Sequence, residues 1–313
     1  MRYYFAPMEG LTDSIYRRIH HKYFPGIHSY YMPFLSPTMH RCLTHREARE
    51  LPIADAVSFR AVPQVLTRVA EDFLWAAERC AERGYDEVNL NVGCPSGTVV
   101  AKGKGSGMLS DPEALDRFLD TVCHDSPLPV SVKTRLGVND PEEFPKLLEV
   151  FNRYPIKELT IHPRVRKQFY KGDVFMDSFR YALENSKNPL CYNGNLRTRS
   201  ETEAFLAEFP QVEAVMIGRG LIGDPAMLCP EVTAETLEAF HNELLEEYIV
   251  VFGGARNAMF RMKENWRHMI LRFEGSEKLW KRLRKTTDMD EYRAITAEIF
   301  HTLPLAPELQ ADW

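Results

Sequence analysis

Nothing in the sequence pairs its cysteines. The six (Cys42, Cys80, Cys94, Cys123, Cys191 and Cys229) are scattered, with no Cys-x-x-Cys unit. The ten histidines form no His-Glu-x-x-His or other paired spacing. A disulfide framework and a structural zinc are therefore both unexpected, and free thiols point to a reducing compartment. Long apolar runs are missing too. The longest past the N-terminus, Tyr248–Phe252, falls well short of the ~20 residues that span a bilayer. Residues 1–7 are too short an apolar stretch for a signal peptide. The expectation is a cytoplasmic protein with no membrane partner and no metal. There is no low-complexity segment, no solenoid period and no flexible linker.

Net positive charge is also lacking: the balance is −5, which argues weakly against a nucleic-acid partner. The charge is unevenly spread, however. Between Arg256 and Lys285 ten basic residues face three acidic ones, a local excess of seven. An acidic protein with one basic segment can hold a polyanion there.

What the chain does contain is alternation. Short apolar runs rich in β-formers fall at Tyr3–Ala6, Ile27–Met32, Val57–Gln64, Glu87–Asn91, Val130–Thr134, Glu158–His162, Pro189–Asn193 and Ala214–Gly218. Helical patterns lie between them. One spans Val69–Arg83; another opens at Asp111-Pro112; a third opens at Ser200, where Ser-Glu-Thr-Glu reads as a capping box. Eight strands alternating with helices predict a (β/α)8 TIM barrel, over residues 1–235. Residues 236–313 show no strand pattern. There Met259, Met262, Trp266, Met269, Ile270 and Phe273 repeat at helical spacing, so a small all-α helical domain is expected, with these residues in its core.

In a TIM barrel the C-terminal ends of the strands converge on one mouth, where active sites lie. Those ends carry an unusual set of hydrogen-bond donors: Gln64, Asn91 with Cys94, Lys133, His162 with Arg164, Asn193-Gly194-Asn195 and Gly218-Arg219-Gly220. The last two loops suit a phosphate. Glycines let backbone N–H groups approach an anion, and Arg219 offers a planar fork. Lys133, within an apolar strand, needs an electron-rich partner to offset its desolvation. Together these residues suit flavin mononucleotide (FMN), a phosphate at one end and an electron-accepting ring at the other.

Cys94 is delivered where the strand pattern Val88-Leu90-Val92 runs out into Gly93-Cys94-Pro95, a sequence that cannot continue a ladder. It reads either as a reactive thiol or as a small buried hydrophobe. The glycine-rich run Lys102–Gly107 follows closely, as a lid would.

These blocks, in order, resemble the tRNA-dihydrouridine synthases. The resemblance is carried by Ala6-Pro7-Met8-Glu9-Gly10-Leu11-Thr12-Asp13, Leu90-Asn91-Val92-Gly93-Cys94-Pro95-Ser96, Gly103–Gly107, Val132-Lys133-Thr134-Arg135-Leu136-Gly137, Asn193-Gly194 and Met216-Ile217-Gly218-Arg219-Gly220. One block departs: the family's usual His-Gly-Arg-Thr is His162-Pro163-Arg164-Val165 here. The resemblance implies reduction of a tRNA uridine to 5,6-dihydrouridine, with FMN as cofactor and NADPH as reductant. Cys94 would be the acid that protonates C5. Pro7, Met8, Gln64, Lys133 and His162 would hold the flavin ring, with Glu9 also binding the cofactor; Asn193, Gly194, Asn195, Gly218 and Arg219 would hold its ribityl chain and phosphate. Asn91, Arg164 and Gln168 would grip the uracil. Lys281, Arg282 and Arg284 would bind tRNA phosphates, and the protein is expected to act as a monomer. The rivals are an FMN-dependent oxidoreductase acting on a free pyrimidine or small enone, and a barrel that binds RNA or flavin without chemistry.

Overall fold

The computed structural model describes residues 1–310. Its sheet contains nine short strands: β1 Arg2–Phe5, β2 Ser29–Tyr31, β3 Ala61–Val62, β4 Gln64–Val65, β5 Val88–Val92, β6 Val130–Arg135, β7 Leu159–His162, β8 Leu190–Tyr192 and β9 Ala214–Ile217. All neighbours pair in parallel, in the order β3-β2-β1-β9-β8-β7-β6-β5-β4. With helices around it, this is the TIM barrel predicted. Nine strands arise from eight staves because the third divides at Pro63. Ala61 and Val62 pair with β2, whereas Gln64 and Val65 pair with β5. Proline has no N–H to carry one ladder across to the other side. The third strand also begins later than Val57, which only ends a turn of 3-10 helix.

Alternation along each strand sorts the side chains. Phe5, Leu90, Val132, Ile161 and Ile217 face the helices and join the large apolar core. Tyr4, Ala6, Tyr31, Val62, Cys191, Ala214 and Met216 fill the barrel interior. The same period places Asn89, Asn91, Ser131, Lys133, Thr160 and His162 on the inner face, the last residue of each series nearest the mouth.

The helices begin much as expected, with one exception. Asp111 caps the helix Pro112–Asp125 by accepting from the Ala114 N–H at 2.9 Å. The capping box at Ser200 is not formed. Thr198 is the cap of the helix Arg199–Glu208, accepting from the Glu201 N–H at 3.1 Å, and Ser200 instead donates its N–H to Glu308 at 2.7 Å. The sequence Thr-x-x-Glu two residues earlier offers the same spacing and wins.

Past β9 the longer elements are the helices Ala234–Phe252, Ala255–Met269, Glu277–Leu283 and Met289–Thr302. Met259, Met262, Trp266, Met269, Ile270 and Phe273 are all buried. These helices pack on the barrel itself: Phe240 lies edge-on to Tyr16 at 5.7 Å, and Tyr248 donates to Asp13 at 3.1 Å. Arg272, 7% exposed, donates to Asp224 at 3.0 Å. Among the described residues no helix is long and apolar enough to cross a membrane.

Candidate active site

A cavity opens at the C-terminal ends of the strands. Pro7, Met8, Gln64, Asn91, Cys94, Lys133, His162, Arg164, Asn193, Gly194, Asn195, Gly218 and Arg219 all line it, drawn from seven of the eight staves and their loops. The structure thus brings together thirteen of the eighteen residues singled out from the sequence.

The lining is cationic. Lys133, Arg135, Arg164, Arg197 and Arg219 contribute, and no carboxylate does. Burial and the neighbouring Arg135 cation lower the Lys133 ammonium to about 8. Its Nζ donates to Asn193 Oδ1 at 2.6 Å, and Asn193 in turn donates to the Met216 carbonyl at 2.7 Å, which fixes the amide's orientation. His162 is pushed well below its ordinary value by burial and by Arg135, Lys133, Arg164 and Arg219. It is therefore neutral. Arg164 lies 3.0 Å from His162 Nε2, and because a guanidinium can only donate, Nε2 accepts and the proton sits on Nδ1. Arg164 also donates to Asn195 Oδ1 at 2.8 Å and to the Gly172 carbonyl at 2.5 Å, and only 1% of it is exposed. Its guanidinium braces His162 and two loops from the cavity wall.

Cys94 sits on a turn organised by Asn91. The Asn91 Oδ1 accepts from the Gly93 N–H at 3.1 Å and from the Cys94 N–H at 2.9 Å. Asn91 is itself held from below by a line of bonds through the barrel. Its Nδ2 donates to Gln64 at 2.7 Å, Gln64 to Asn89 at 2.7 Å, Asn89 to Ser131 at 2.8 Å, and Ser131 to Glu87 at 2.5 Å. Ser106 of the glycine-rich run donates its N–H (3.1 Å) and hydroxyl (2.8 Å) to the Cys94 carbonyl. Gly105, at φ +58°, lies so close that a Cβ there would stand 2.9 Å from that carbonyl. The run expected to form a lid is seated against the cysteine. Burial pushes the Cys94 thiol up, against the opposing pull of the Ser96 N–H and of Arg135 and Lys133. The thiol is protonated at neutral pH.

Five expected contacts lie elsewhere. Glu9 is exposed and ion-paired with Arg46, which holds its carboxylate outside the cavity lining. Gln168 spends its amide on its own loop, accepting from the Val165 N–H at 2.9 Å and donating to the Asp173 carbonyl at 3.1 Å. Lys281, Arg282 and Arg284 are exposed on and just beyond the short helix Glu277–Leu283, outside the cavity lining, and Arg282 pairs with Glu298 at 3.1 Å. Within the basic segment, Lys263 and Arg272 are buried and Arg261 pairs with Asp13 at 3.5 Å, leaving seven exposed cations.

Eight lining residues lie outside the expected set: Ala6, Phe34, Gly93, Arg135, Tyr170, Leu196, Arg197 and Gly220. Phe34 follows strand two, the one strand end that supplies no polar signal. Arg197 follows Asn193-Gly194-Asn195 by two residues, and Arg135 closes the Lys133 strand; basic residues just past the glycine and lysine positions were the available cue.

The chain from residue 4 to residue 309 matches the family model described as dihydrouridine synthase. The chain belongs to this family. It is 29% identical to tRNA-dihydrouridine synthase B of Pasteurella multocida over 227 residues, covering 72% of this chain and 67% of that protein. With a probable tRNA-dihydrouridine synthase of Staphylococcus aureus it shares 27% identity over 312 residues, 94% of this chain and 91% of the relative. Among solved structures, a morphinone reductase variant in complex with tetrahydroNAD superposes with a TM-score of 0.52 at 13% identity, covering 72% of this chain and 85% of that one. A variant of NCR from Zymomonas mobilis gives 0.52 at 16% identity, covering 76% and 87%. These two likenesses concern the fold. Membership of the dihydrouridine synthases makes the protein an enzyme, an oxidoreductase of tRNA modification built on a TIM barrel.

Proposed function

We propose that this enzyme reduces a uridine in tRNA to 5,6-dihydrouridine, using FMN with NADPH as reductant and Cys94 as the acid. The observation that carries the reading is the buried, carboxylate-free lining around Lys133. A cation in such a place calls for an electron-rich partner, and the arginines and glycines at the Asn193 and Gly218 loops call for an anion a few ångströms away. FMN meets both demands. Its ring would rest among Pro7, Met8, Gln64, Lys133 and His162, and its phosphate among Gly194, Asn195, Arg197, Gly218 and Arg219.

Bound and reduced, the flavin supplies the hydride that adds to C6 of the uracil. The protein's part is to hold the base, keep water out and deliver one proton to C5. Cys94 Sγ carries that proton: burial keeps it a thiol, and the Asn91 and Ser106 bonds fix the backbone from which it projects. The product then holds two added hydrogens, NADPH has become NADP+, and the thiolate is reprotonated from solvent. The uridine must leave the RNA stack to reach a barrel mouth. Lys102 and Lys104 of the glycine-rich run, and the exposed cations of the tail, including Lys281, Arg282 and Arg284, would grip the phosphates around it.

The test is to map dihydrouridine in tRNA from cells lacking the gene, and to assay purified protein with such tRNA. Loss of the modification at one position, restored by the purified enzyme with NADPH, is expected; unchanged dihydrouridine would overturn the reading. The purified protein should release FMN on denaturation, and a colourless preparation would count equally against it.

A further inference from the structure

The loop after β7 contains a costly residue with no job inside the protein. Phe169 has φ +52° and ψ −100°, backbone angles that suit glycine and penalise a bulky side chain. It is nonetheless 49% exposed, and it joins none of the apolar clusters formed by the described residues. A glycine would turn the chain with less strain, and a polar residue would meet water with less penalty. With half of the side chain open to water, burial offsets these costs only in part.

The neighbourhood indicates what would offset it. The strained turn points Tyr170 into the cavity, where its ring stacks on His162 at 6.2 Å and lies beside Arg135 (5.2 Å) and Arg219 (5.5 Å). Phe169 is thus fixed at the rim. Around it the loop is rigid: Gln168 ties Val165 to Asp173, Arg164 holds the Gly172 carbonyl, and the Lys171 N–H donates to the Gln168 carbonyl at 2.9 Å. Arg166, Lys167 and Lys171 lie close to Phe169 in the sequence of the loop, and Lys167 and Lys171 are exposed. An aromatic side chain set among cations on a rigid loop is the arrangement that binds unpaired nucleic-acid bases, through stacking and phosphate contacts together.

We infer that Phe169 is a stacking wedge for the RNA: its ring takes the unpaired base next to the uridine that has entered the cavity, and so holds the strand open. This rests on the reading of a tRNA uridine as substrate. It gives the rim residue a role separate from those of the flavin and of Cys94.

The experiment uses the holoenzyme and tRNA transcripts free of dihydrouridine, and measures product against tRNA concentration for wild type, F169A, F169G and F169W. F169G removes the strain together with the ring, so its melting temperature is expected at or above that of wild type. Both F169A and F169G should lose roughly tenfold or more in kcat/KM, chiefly through KM, the scale of one lost stacking contact; F169W should stay within about threefold of wild type. If F169A and F169G match wild type within twofold, the wedge is wrong while the substrate reading stands. If F169A is impaired and F169G is normal, the loss comes from backbone strain and the wedge is again wrong. A wild-type enzyme that forms no dihydrouridine in any transcript overturns the substrate reading, and the wedge with it.

Discussion

A lysine ammonium withdrawn from water loses hydration that its surroundings must replace. At Lys133 the replacement in the cofactor-free protein is one amide oxygen, that of Asn193, with Arg135 opposing it. The folded-state value of about 8 lies below the ~10.4 of an unfolded lysine. Below pH 8 the charged, desolvated form therefore costs stability in full, and the cost fades as the pH rises towards 10.4. Lys133→Met should stabilise the cofactor-free protein by on the order of 2 kcal/mol at pH 7, and by much less near pH 10, measured by denaturant unfolding. The same variant should bind flavin more weakly. In wild type, affinity should fall as pH rises above about 8, where the free lysine loses its proton; a flat profile would remove Lys133 from the cofactor site. Cys94 titrates in the useful direction. Its raised value keeps the proton available at neutral pH, so Cys94→Ala should retain flavin and lower the rate of dihydrouridine formation by about 10²–10⁴-fold, the usual worth of a placed acid. Single residues of this kind were legible because period-2 alternation fixes which strand residues face inward. Glu9 was not: sequence adjacency to Met8 says nothing about which way a side chain leaves a loop, and charge sent it to Arg46.

At the scale of elements, the segment Gly105–Ser110 and the β5 turn form one unit. Gly105 at φ +58° passes against the Cys94 carbonyl and Val99, and Ser106 closes the contact with two hydrogen bonds. Gly105→Ala adds a Cβ at an unfavourable φ into backbone that cannot yield. It should cost roughly 1–3 kcal/mol in thermal stability and reduce turnover by displacing the thiol, with flavin content unchanged. Wild-type turnover in that variant would mean the seat of Cys94 does not depend on this loop. The sequence showed that a glycine-rich segment follows the cysteine, but not that it is docked, because docking here is made by backbone groups that carry no sequence signature. The divided third stave was harder still to foresee. Val57–Gln64 reads as one apolar strand, and only the positions of its neighbours decide that Pro63 ends one ladder and that Gln64 begins another.

For the molecule as a whole, the helical tail is joined to the barrel by a buried ion pair, Arg272 with Asp224, at 3.0 Å. Truncating one partner leaves the other charge buried, so Arg272→Met should destabilise the protein by about 3–5 kcal/mol, read as a large fall in melting temperature. The exposed cations carry a different expectation. Neutralising Lys281, Arg282, Arg284 and Lys285 together should weaken tRNA binding and lower the slope of log affinity against log salt by up to about 3; an unchanged slope would take this part of the tail off the RNA. The count of basic residues overstated this surface, since Lys263 and Arg272 serve the interior and a composition cannot tell an inner cation from an outer one. The five cations lining the cavity matter beyond the contacts they make. They stand in a molecule whose net charge is −5, so the field outside it is polarised. Approaching anions are repelled by most of the surface and drawn towards the one opening. Capture of phosphate-bearing ligands is thereby a guided diffusion, and its bimolecular rate constant should fall with ionic strength as the screening length shrinks towards ~8 Å at 0.15 M.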